Sequence, residues 1–137
     1  MTGIRVNSEV VELYNQFRFG KGGMRFFTCK LSDDMTEVVL DSTGASNSSW
    51  EDMEATLPKH ECRYIFFHFN YEEEGGKRSK IVFMTWCPEG STIKQKMLYA
   101  ATNQTLKRMF EGIGCAMQAC DASELCKEQV MARLVRV

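Results

Sequence analysis

The sequence lacks long apolar runs and has no excess of charge of one sign. No segment approaches the roughly 18 apolar residues of a membrane-spanning helix, and residues 1–17 lack the continuous apolar stretch of a signal peptide. With 17 Lys and Arg against 18 Asp and Glu, the formal charge of -1 excludes the overall positive field that nucleic-acid-binding domains use. We therefore predict a soluble, cytoplasmic protein without a nucleic-acid partner.

The sequence also lacks the motifs of metal centres and catalytic sites. Its six cysteines include no CxxC pair, and the spacing of Cys115, Cys120 and Cys126 matches no zinc signature. Because the cytoplasm keeps thiols reduced, these side chains are expected to serve mainly as small buried apolar groups. We predict no cofactor, no metal and no enzymatic activity.

What is present fits one globular domain. The chain has 137 residues, of which 44% are hydrophobic and 26% are charged. On folding, a chain of this length buries about 68% of the surface that the unfolded chain exposes. A core can therefore form without disulfide bonds or a structural metal ion. We predict a single domain over residues 1–137 and a monomeric protein.

Apolar periodicity and turn residues predict an alternation of helices and strands. Val10, Tyr14 and Phe17 share one face of a helix, and residues 63–71 are rich in the aromatic and β-branched side chains of a buried strand. The predicted elements are, in order, a helix at 9–17, a hairpin of strands at 24–31 and 36–41, a loop at 42–49, a short helix capped by Ser49 and Asp52, a second hairpin of strands at 63–71 and 80–86 with a short Gly-Gly loop, helices beginning near Ser91 and near Thr102, a strand at 116–119, and a last helix from Asp121 almost to Val137. This order predicts an α/β fold with a mixed sheet between helices.

Charge is unevenly distributed along the chain. Residues 77–108 contain seven basic residues and one acid, whereas residues 33–76 contain eleven acids and two basic residues. A fold that gathers the basic residues presents a positive surface to an anionic partner.

The segment 86–100, WCPEGSTIKQKMLYA, carries the most informative part of this charge. On a helix, Lys94 and Lys96 are about 200° apart, and Ile93 shares a face with Met97 and Leu98. In one interpretation Met97 and Leu98 belong to the core and the lysines are solvated. In the other, an exposed apolar side chain enters a groove on a partner protein and the lysines face its acids. Apolar periodicity alone favours the interpretation in which Met97 and Leu98 belong to the core.

Segment 86–100 resembles the actin-binding core of the ADF/cofilin family, and the resemblance covers nearly the whole chain. Its most specific part is residues 76–100, which include the hairpin return GKRSKIVF. The positions that carry it are Thr2, Gly3, Ile4, Val6, Cys62, Arg63, Tyr64, Trp86, Pro88, Glu89, Lys94, Lys96, Met97, Tyr99 and Ala100, followed by the LKRMFEGI segment and the closing helix.

This resemblance implies an ADF-homology fold, in which a central mixed sheet is sandwiched between helices, and a cytoskeleton-associated protein without enzymatic activity. Family members bind actin monomers, prefer the ADP form and slow nucleotide exchange; they also bind filaments, which they sever and depolymerise. By matching position, the implied monomer-binding residues are Thr2, Gly3, Ile4, Val6, Lys94, Lys96 and Met97. The implied filament-binding residues are Arg78, Lys80, Arg133 and Arg136.

The sequence departs from the family pattern at three places. The hairpin tip EEEGGKRS is shorter than in strongly severing members, which predicts weak severing, and Ala132 stands where some relatives have an acid. Thr2 stands where vertebrate members have the serine whose phosphorylation blocks actin binding, and a phosphate there adds about -1.5 to -2 charges. The basic surface is also expected to bind phosphoinositide headgroups in competition with actin.

Two other functions stay open at this point. A coactosin-type protein has the same fold and binds filaments without disassembling them. A thiol-based redox protein uses two of the six cysteines, and a thiol of low pKa beside the basic segment would support that hypothesis.

Overall fold

The computed structural model describes residues 3–135, which form six strands, four α-helices and one 3₁₀ helix. In chain order these are β1 (Arg5–Val6), α1 (Ser8–Arg18), β2 (Met24–Leu31), β3 (Glu37–Ala45), α2 (Trp50–Glu54), β4 (Arg63–Glu73), β5 (Gly76–Trp86), α3 (Ile93–Met109), β6 (Ile113–Ala119), the 3₁₀ helix (Ala122–Leu125) and α4 (Lys127–Val135). Thr2 and Arg136, which the sequence analysis assigned to binding surfaces, lie outside the described residues.

All six strands belong to one sheet, in the order β1-β3-β2-β4-β5-β6. The pairs β2–β3, β2–β4 and β4–β5 are antiparallel, whereas β1 pairs with β3 and β6 pairs with β5 in parallel. The sheet is therefore mixed, as predicted. Its long central hairpin keeps an unbroken register from the pair Arg63 and Trp86 to the pair Glu73 and Gly76.

Helices cover both faces of this sheet. Successive side chains of a strand point to opposite faces, so Tyr64 and Phe66 of β4 join the core beneath α1 and α3, while Ile65 and Phe67 join the core beneath α2 and α4. Aromatic rings fill both cores; Phe66, for example, stacks on Phe27 with 4.7 Å between ring centroids. The predicted α/β fold with a sheet between helices is confirmed. No helix within residues 3–135 is long and apolar enough to span a bilayer.

Side-chain caps fix where the first three helices begin. The side-chain oxygen of Asn7 accepts a backbone N–H at the start of α1, and Ser49 with Asp52 forms the predicted capping box of α2. Thr92 Oγ1 accepts a hydrogen bond of 3.1 Å from the backbone N–H of Gln95 at the start of α3. Each cap satisfies an N–H group that the first turn of a helix leaves without a partner.

β3 is longer than the sequence predicts. The predicted loop at 42–49 is wrong for its first four residues, because Ser42 to Ala45 continue the ladder with β2. The hydroxyls of Ser42 and Thr28 hydrogen-bond at 2.6 Å, and Thr28 also donates to the carboxylate of Asp41 at 3.0 Å. These polar side chains satisfy one another between neighbouring strands, which composition alone does not reveal.

α3 is one continuous helix where the sequence predicts two. The turn-favouring residues Thr102 and Asn103 lie on its buried side. The amide of Asn103 donates to the hydroxyl of Thr85 on β5 at 2.5 Å, so it does not compete with the helix backbone for hydrogen bonds. The helix ends at Met109, and Ile113, predicted as helical, instead begins β6.

The connection between β4 and β5 is a tight turn. The predicted hairpin with a short Gly-Gly loop is confirmed in outline: residues 72–73 and 76–79 lengthen the two strands beyond their predicted bounds and leave only Glu74 and Gly75 between them. Gly75 adopts a φ of 98°, a conformation that residues with a Cβ rarely adopt.

The two chain ends also differ from prediction. Asp121 accepts the backbone N–H of Glu124 at 3.1 Å, but it caps the 3₁₀ helix, and α4 begins only at Lys127. The strand β1 is absent from the prediction because two residues are too few to show a period of two.

Candidate functional site

The orientation of α3 is fixed by the residues that it buries. Its buried residues are Tyr99, Thr102, Asn103 and Leu106. The hydroxyl of Tyr99 accepts a hydrogen bond of 2.8 Å from the backbone N–H of Leu31, and its carbonyl accepts one of 2.6 Å from the hydroxyl of Tyr64. Burial raises the pKa of Tyr99 to about 12, so this hydroxyl stays protonated at neutral pH. These contacts allow α3 only one rotation about its axis.

Met97 projects from the opposite side of α3. A helix turns by about 100° per residue, so Met97 lies about 200° from Tyr99. Met97 is 67% exposed, whereas its neighbour Leu98 is half-buried and packs on the core beneath α1 and α3. The interpretation that places both residues in the core, which periodicity favours, is therefore wrong for Met97.

Ile93 is a second exposed apolar residue, and it is not among the predicted binding residues. It lies one turn before Met97 on the same side of the helix and is 76% exposed. The sequence signal was its i, i+4 spacing from Met97, but spacing groups two residues on a face without showing whether the face is buried. Together the two side chains form an apolar patch at the start of α3.

The two lysines of this helix lie on different sides of it. Lys94 is exposed, three residues before Met97, whereas Lys96 is half-buried and close enough to the sulfurs of Cys62 and Cys87 to act on both electrostatically. Within residues 3–135 neither ammonium forms an ion pair with a carboxylate. Both charges can therefore act on a binding partner.

The N-terminal segment lies on the same face of the sheet as α3. Gly3 is exposed, and the half-buried Ile4 and Val6 pack on the core beneath α1 and α3. The backbone N–H of Arg5 donates to the carbonyl of Thr36 at 2.9 Å. This bond places the segment beside the turn between β2 and β3.

That turn also borders α3. A cavity of about 140 Å³ is lined by Asp33 and Met35 of the turn and by Gln95 and Tyr99 of α3. The structure thus places the N-terminal segment and the start of α3 on either side of one turn, at one end of one face. Of the predicted monomer-binding residues, only Thr2 lies outside the described chain.

The predicted filament residues lie on the other face of the sheet. Arg78 and Lys80 are two residues apart on β5, so both point to the face that α4 covers. The ammonium of Lys80 donates to the carbonyl of Leu134 at 3.2 Å, and Arg133, adjacent on α4, is exposed. The structure therefore brings Lys80 and Arg133 together, while Arg136 lies outside the described residues.

A glycine on β6 makes this arrangement possible. A Cβ at Gly114 would lie 3.0 Å from the Cβ and Cδ atoms of Lys80, closer than ordinary contacts. The absence of a side chain at Gly114 lets the Lys80 stem cross β6 toward the end of α4. At the hairpin tip, the guanidinium of Arg78 lies 3.7 Å from the carboxylate of Glu73.

The two groups of residues are well separated. Lys80 lies near the start of β5, and Trp86, after which the chain leads into α3, is its last residue. Six residues of extended strand span about 20 Å. The molecule therefore carries two separate surfaces, a patch at the start of α3 with the N-terminal segment and a basic surface where the hairpin meets α4.

The cysteines are not uniformly inert. Burial raises the pKa of Cys29 far above its ordinary value. The pKa of Cys62 is instead lowered to about 7, mainly because of the neighbouring thiol of Cys87, with help from the charge of Lys96. Within residues 3–135 no three His, Cys, Asp or Glu side chains are grouped as metal ligands. The redox hypothesis of the sequence analysis therefore stays a prediction.

Comparison with known proteins places the chain in a family. The family model described as Cofilin/tropomyosin-type actin-binding protein matches residues 3–135. The chain is 38% identical to actophorin from Entamoeba histolytica over 134 residues, which cover 98% of this chain and 96% of that protein. It superposes on the crystal structure of Streptomyces griseoflavus cofilin with a TM-score of 0.88 and 33% identity, covering 98% of each chain.

A more distant structure shares the fold alone. Coactosin from Entamoeba histolytica superposes with a TM-score of 0.78 and 18% identity, covering 98% of this chain and 96% of that one. The family match and the relatives above 30% identity show that the chain belongs to the ADF/cofilin family of actin-binding proteins. The resemblance predicted from segment 76–100 and the predicted ADF-homology fold are confirmed.

Proposed function

We propose that this protein binds actin monomers and filaments and promotes filament depolymerisation. The observation that carries the proposal is the exposed apolar pair Ile93 and Met97, on a helix whose lysines form no ion pair within residues 3–135. Family membership supplies the partner. The proposal includes a preference for ADP-bound monomers, slower nucleotide exchange on them, and a cytoplasmic, cytoskeleton-associated location. It requires no cofactor and no catalytic step.

Met97 is the proposed anchor of the monomer contact. Fully burying a methionine side chain stabilises a complex by about 1.5–3 kcal/mol, and most of this is available because Met97 starts 67% exposed. The charges of Lys94 and Lys96 speed encounter with an acidic surface and disfavour wrong docking. Gly3, Ile4 and Val6 extend the contact across the β2–β3 turn, and we assign Thr2 to it by position.

Arg78, Lys80 and Arg133 form the proposed filament surface, and we assign Arg136 to it by position in the sequence. Because this surface lies on the opposite face of the sheet from the α3 patch, one molecule can contact two actin subunits. We also propose that severing is weak. The two-residue turn at Glu74 and Gly75 gives the hairpin little length with which to reach a second subunit.

Co-sedimentation paired with a pyrene-actin disassembly assay tests the function. We expect the protein to move actin from the pellet to the supernatant and to accelerate the loss of pyrene fluorescence. A protein that stays with pelleted filaments without shifting actin would be a coactosin-type side-binder, and the depolymerisation proposal would be wrong. If the protein neither pellets with filaments nor forms a complex with monomers, the proposal that it binds actin is wrong.

We further propose that phosphorylation of Thr2 weakens monomer binding. A phosphate adds about -1.5 to -2 charges next to a surface that attracts an acidic partner, so repulsion opposes docking. A Thr2→Glu variant is expected to bind monomers less tightly, with Thr2→Ala as the uncharged control. If both variants bind monomeric actin with equal affinity, the proposed regulation by phosphorylation of Thr2 is contradicted.

Phosphoinositide headgroups are proposed to compete with actin for the lysines of α3. An anionic headgroup and acidic actin are attracted by the same charges on Lys94 and Lys96. Vesicles containing bisphosphorylated phosphatidylinositol should lower the apparent affinity for monomers, whereas vesicles of neutral lipid alone should not. Unchanged affinity with both vesicles would contradict the competition.

A further inference from the structure

Three cysteines lie in one row immediately beyond the ends of the neighbouring strands β4, β5 and β6. Arg63 pairs with Trp86 in the antiparallel ladder of β4 and β5, and Trp86 pairs with Ala119 in the parallel ladder of β5 and β6. The next position in this row is occupied by Cys62, Cys87 and Cys120. The N–H of Cys87 donates to the carbonyl of Ala119 at 2.9 Å, so the parallel ladder continues to this point.

Cys62 and Cys87 are directly opposite each other in this row. The N–H of Cys62 donates to the side chain of Gln95 at 3.4 Å, and that of Cys87 donates to Ala119. Neither backbone N–H group therefore bonds to the opposite cysteine. This is the arrangement of the close, non-hydrogen-bonded pairs of an antiparallel ladder. Such pairs have Cα atoms about 4.5 Å apart, within the range of about 4.4–6.8 Å that a disulfide bridges.

The environment of this pair favours a thiolate. The neighbouring thiol of Cys87 is the main cause that lowers the pKa of Cys62 to about 7, and the ammonium of Lys96 assists. The neighbouring Cys62 and burial raise the pKa of Cys87. One proton is therefore lost easily from the pair, while the other stays on Cys87.

Access to the pair differs between its two members. Cys62 is fully buried, Cys87 is half-buried, and Cys120 at the end of the row is exposed. Cys87 is therefore the member of the pair that is partly open to solvent. Because intracellular disulfides are commonly transient and redox-sensing, a close pair with one thiolate under a lysine is a candidate for reversible oxidation.

We propose that Cys62 and Cys87 are a reversible disulfide site that responds to hydrogen peroxide. The Cys62 thiolate attacks one peroxide oxygen and releases hydroxide, which takes up a proton to become water, so Cys62 becomes a sulfenic acid. The sulfur of Cys87 then attacks the Cys62 sulfur, loses its proton, and expels the sulfenic oxygen as a second water. In total two thiols lose two electrons and two protons, and one peroxide is reduced to two waters. A dithiol reductant reverses the change by thiol–disulfide exchange.

The disulfide changes the segment that leads into α3. It replaces an anionic pair beside Lys96 with a neutral bond, so the ammonium loses its thiolate neighbour. It also joins the segment that enters β4 to the segment that leads from β5 into α3. The site is defined by residues of this chain alone and does not depend on the proposed binding to actin.

Peptide mapping of the full chain tests the assignment. The reduced protein is treated with hydrogen peroxide at neutral pH, its remaining thiols are blocked, and it is digested with trypsin without reduction. Cys62 then lies in peptide 60–63, Cys87 in peptide 81–94, and Cys115, Cys120 and Cys126 together in peptide 109–127. We expect 60–63 linked to 81–94, with two of the six thiols lost and both restored by dithiothreitol.

A matched pair of variants keeps the result interpretable. Cys87→Ala should abolish the link, whereas Cys115→Ser, which changes a half-buried cysteine outside the row, should keep it. Circular dichroism checks that both variants fold. If Cys87→Ala does not fold, the peptide map of the wild-type protein still decides the assignment. The assignment is overturned if 81–94 links mainly to 109–127, or if peroxide yields no 60–63 link while all six thiols stay reactive.

Discussion

Lys80 of β5 donates a hydrogen bond of 3.2 Å to the carbonyl of Leu134, which joins the central hairpin to the last turn of α4. A positive charge next to the C-terminal end of a helix is favourable, because the carbonyl groups there carry partial negative charge. The contact fixes Lys80 beside Arg133, so the basic residues of two elements distant in sequence become one surface.

Replacing Arg78 and Lys80 together by Ala should weaken filament binding several-fold and leave monomer binding unchanged, because both point to the face remote from α3. Co-sedimentation measures the first and fluorescence titration of monomeric actin the second. Lys77→Ala is the control, since it removes one positive charge from the opposite face of the hairpin. A variant that loses monomer binding and keeps filament binding would show that the surfaces are assigned the wrong way round.

Replacing Lys94 and Lys96 together by Ala should slow association with monomeric actin and flatten its dependence on salt. Exposed charges at the edge of an interface act mainly on the association rate, which ionic strength screens. Stopped-flow association over a range of salt concentrations measures both effects. Lys107→Ala, an exposed lysine at the far end of α3, should behave as wild type. Equal salt slopes for all three proteins would exclude the two lysines from the contact.

Asp41→Ala should destabilise the fold far more than Glu111→Ala. Asp41 lies 3.1 Å from the guanidinium of Arg63, whose side chain is 11% exposed, while Glu111 pairs at 3.6 Å with Arg18 and is 78% exposed. Leaving a buried charged donor without this partner costs about 1–3 kcal/mol, whereas an exposed pair contributes less than about 1 kcal/mol. Urea denaturation measures both. Equal losses of unfolding free energy would contradict a structural role for the Asp41 pair.

The Cys62 and Cys87 pair should release its first proton near neutral pH. Because the pKa of Cys62 is lowered to about 7 from the ordinary 9.0, folding favours the thiolate. This contribution to stability is therefore present above the ordinary pKa and is lost as the pH falls through about 7. Thiolate absorbance in the ultraviolet follows the titration, to which Lys96 of α3, Arg63 of β4 and the neighbouring Cys120 contribute.

Cys87→Ala should move that thiolate transition to higher pH, since it removes the thiol that lowers the pKa of Cys62 most. Cys126→Ala, outside the row, should leave the transition in place. If the wild-type protein shows no thiolate transition below about pH 8, the Cys62 and Cys87 pair does not lose a proton near neutral pH.

Local signals in the sequence were sufficient for several elements. The period of Val10, Tyr14 and Phe17 gave α1, and the turn residues on either side of residues 24–31 gave β2 with its observed bounds, because each signal is local in sequence. Ser49 and Asp52 likewise gave the start of α2, since a capping box is formed by neighbours in sequence.

Contacts between distant residues decided the rest. Asn103 favours a turn by composition, yet its bond to Thr85 keeps it within α3. Periodicity grouped Ile93 with Met97, but only the contacts of Tyr99 with Leu31 and Tyr64 determine that this face is exposed. Family resemblance identified Met97, whereas the pairing of Cys62 with Cys87 depends on strand register, which no spacing in the sequence indicates.

Met97 is proposed as an external anchor for monomeric actin, and titration calorimetry measures its contribution to binding. The wild type, Met97→Ala and Met131→Ala are each titrated into ADP-bound monomers; Met131, 38% exposed on α4, is the matched control. All three should unfold with free energies within about 0.5 kcal/mol of one another, because both methionines are surface residues. We expect roughly tenfold weaker binding, about 1.4 kcal/mol, for Met97→Ala alone. Wild-type affinity in Met97→Ala, or no heat from the wild type, would contradict this proposal.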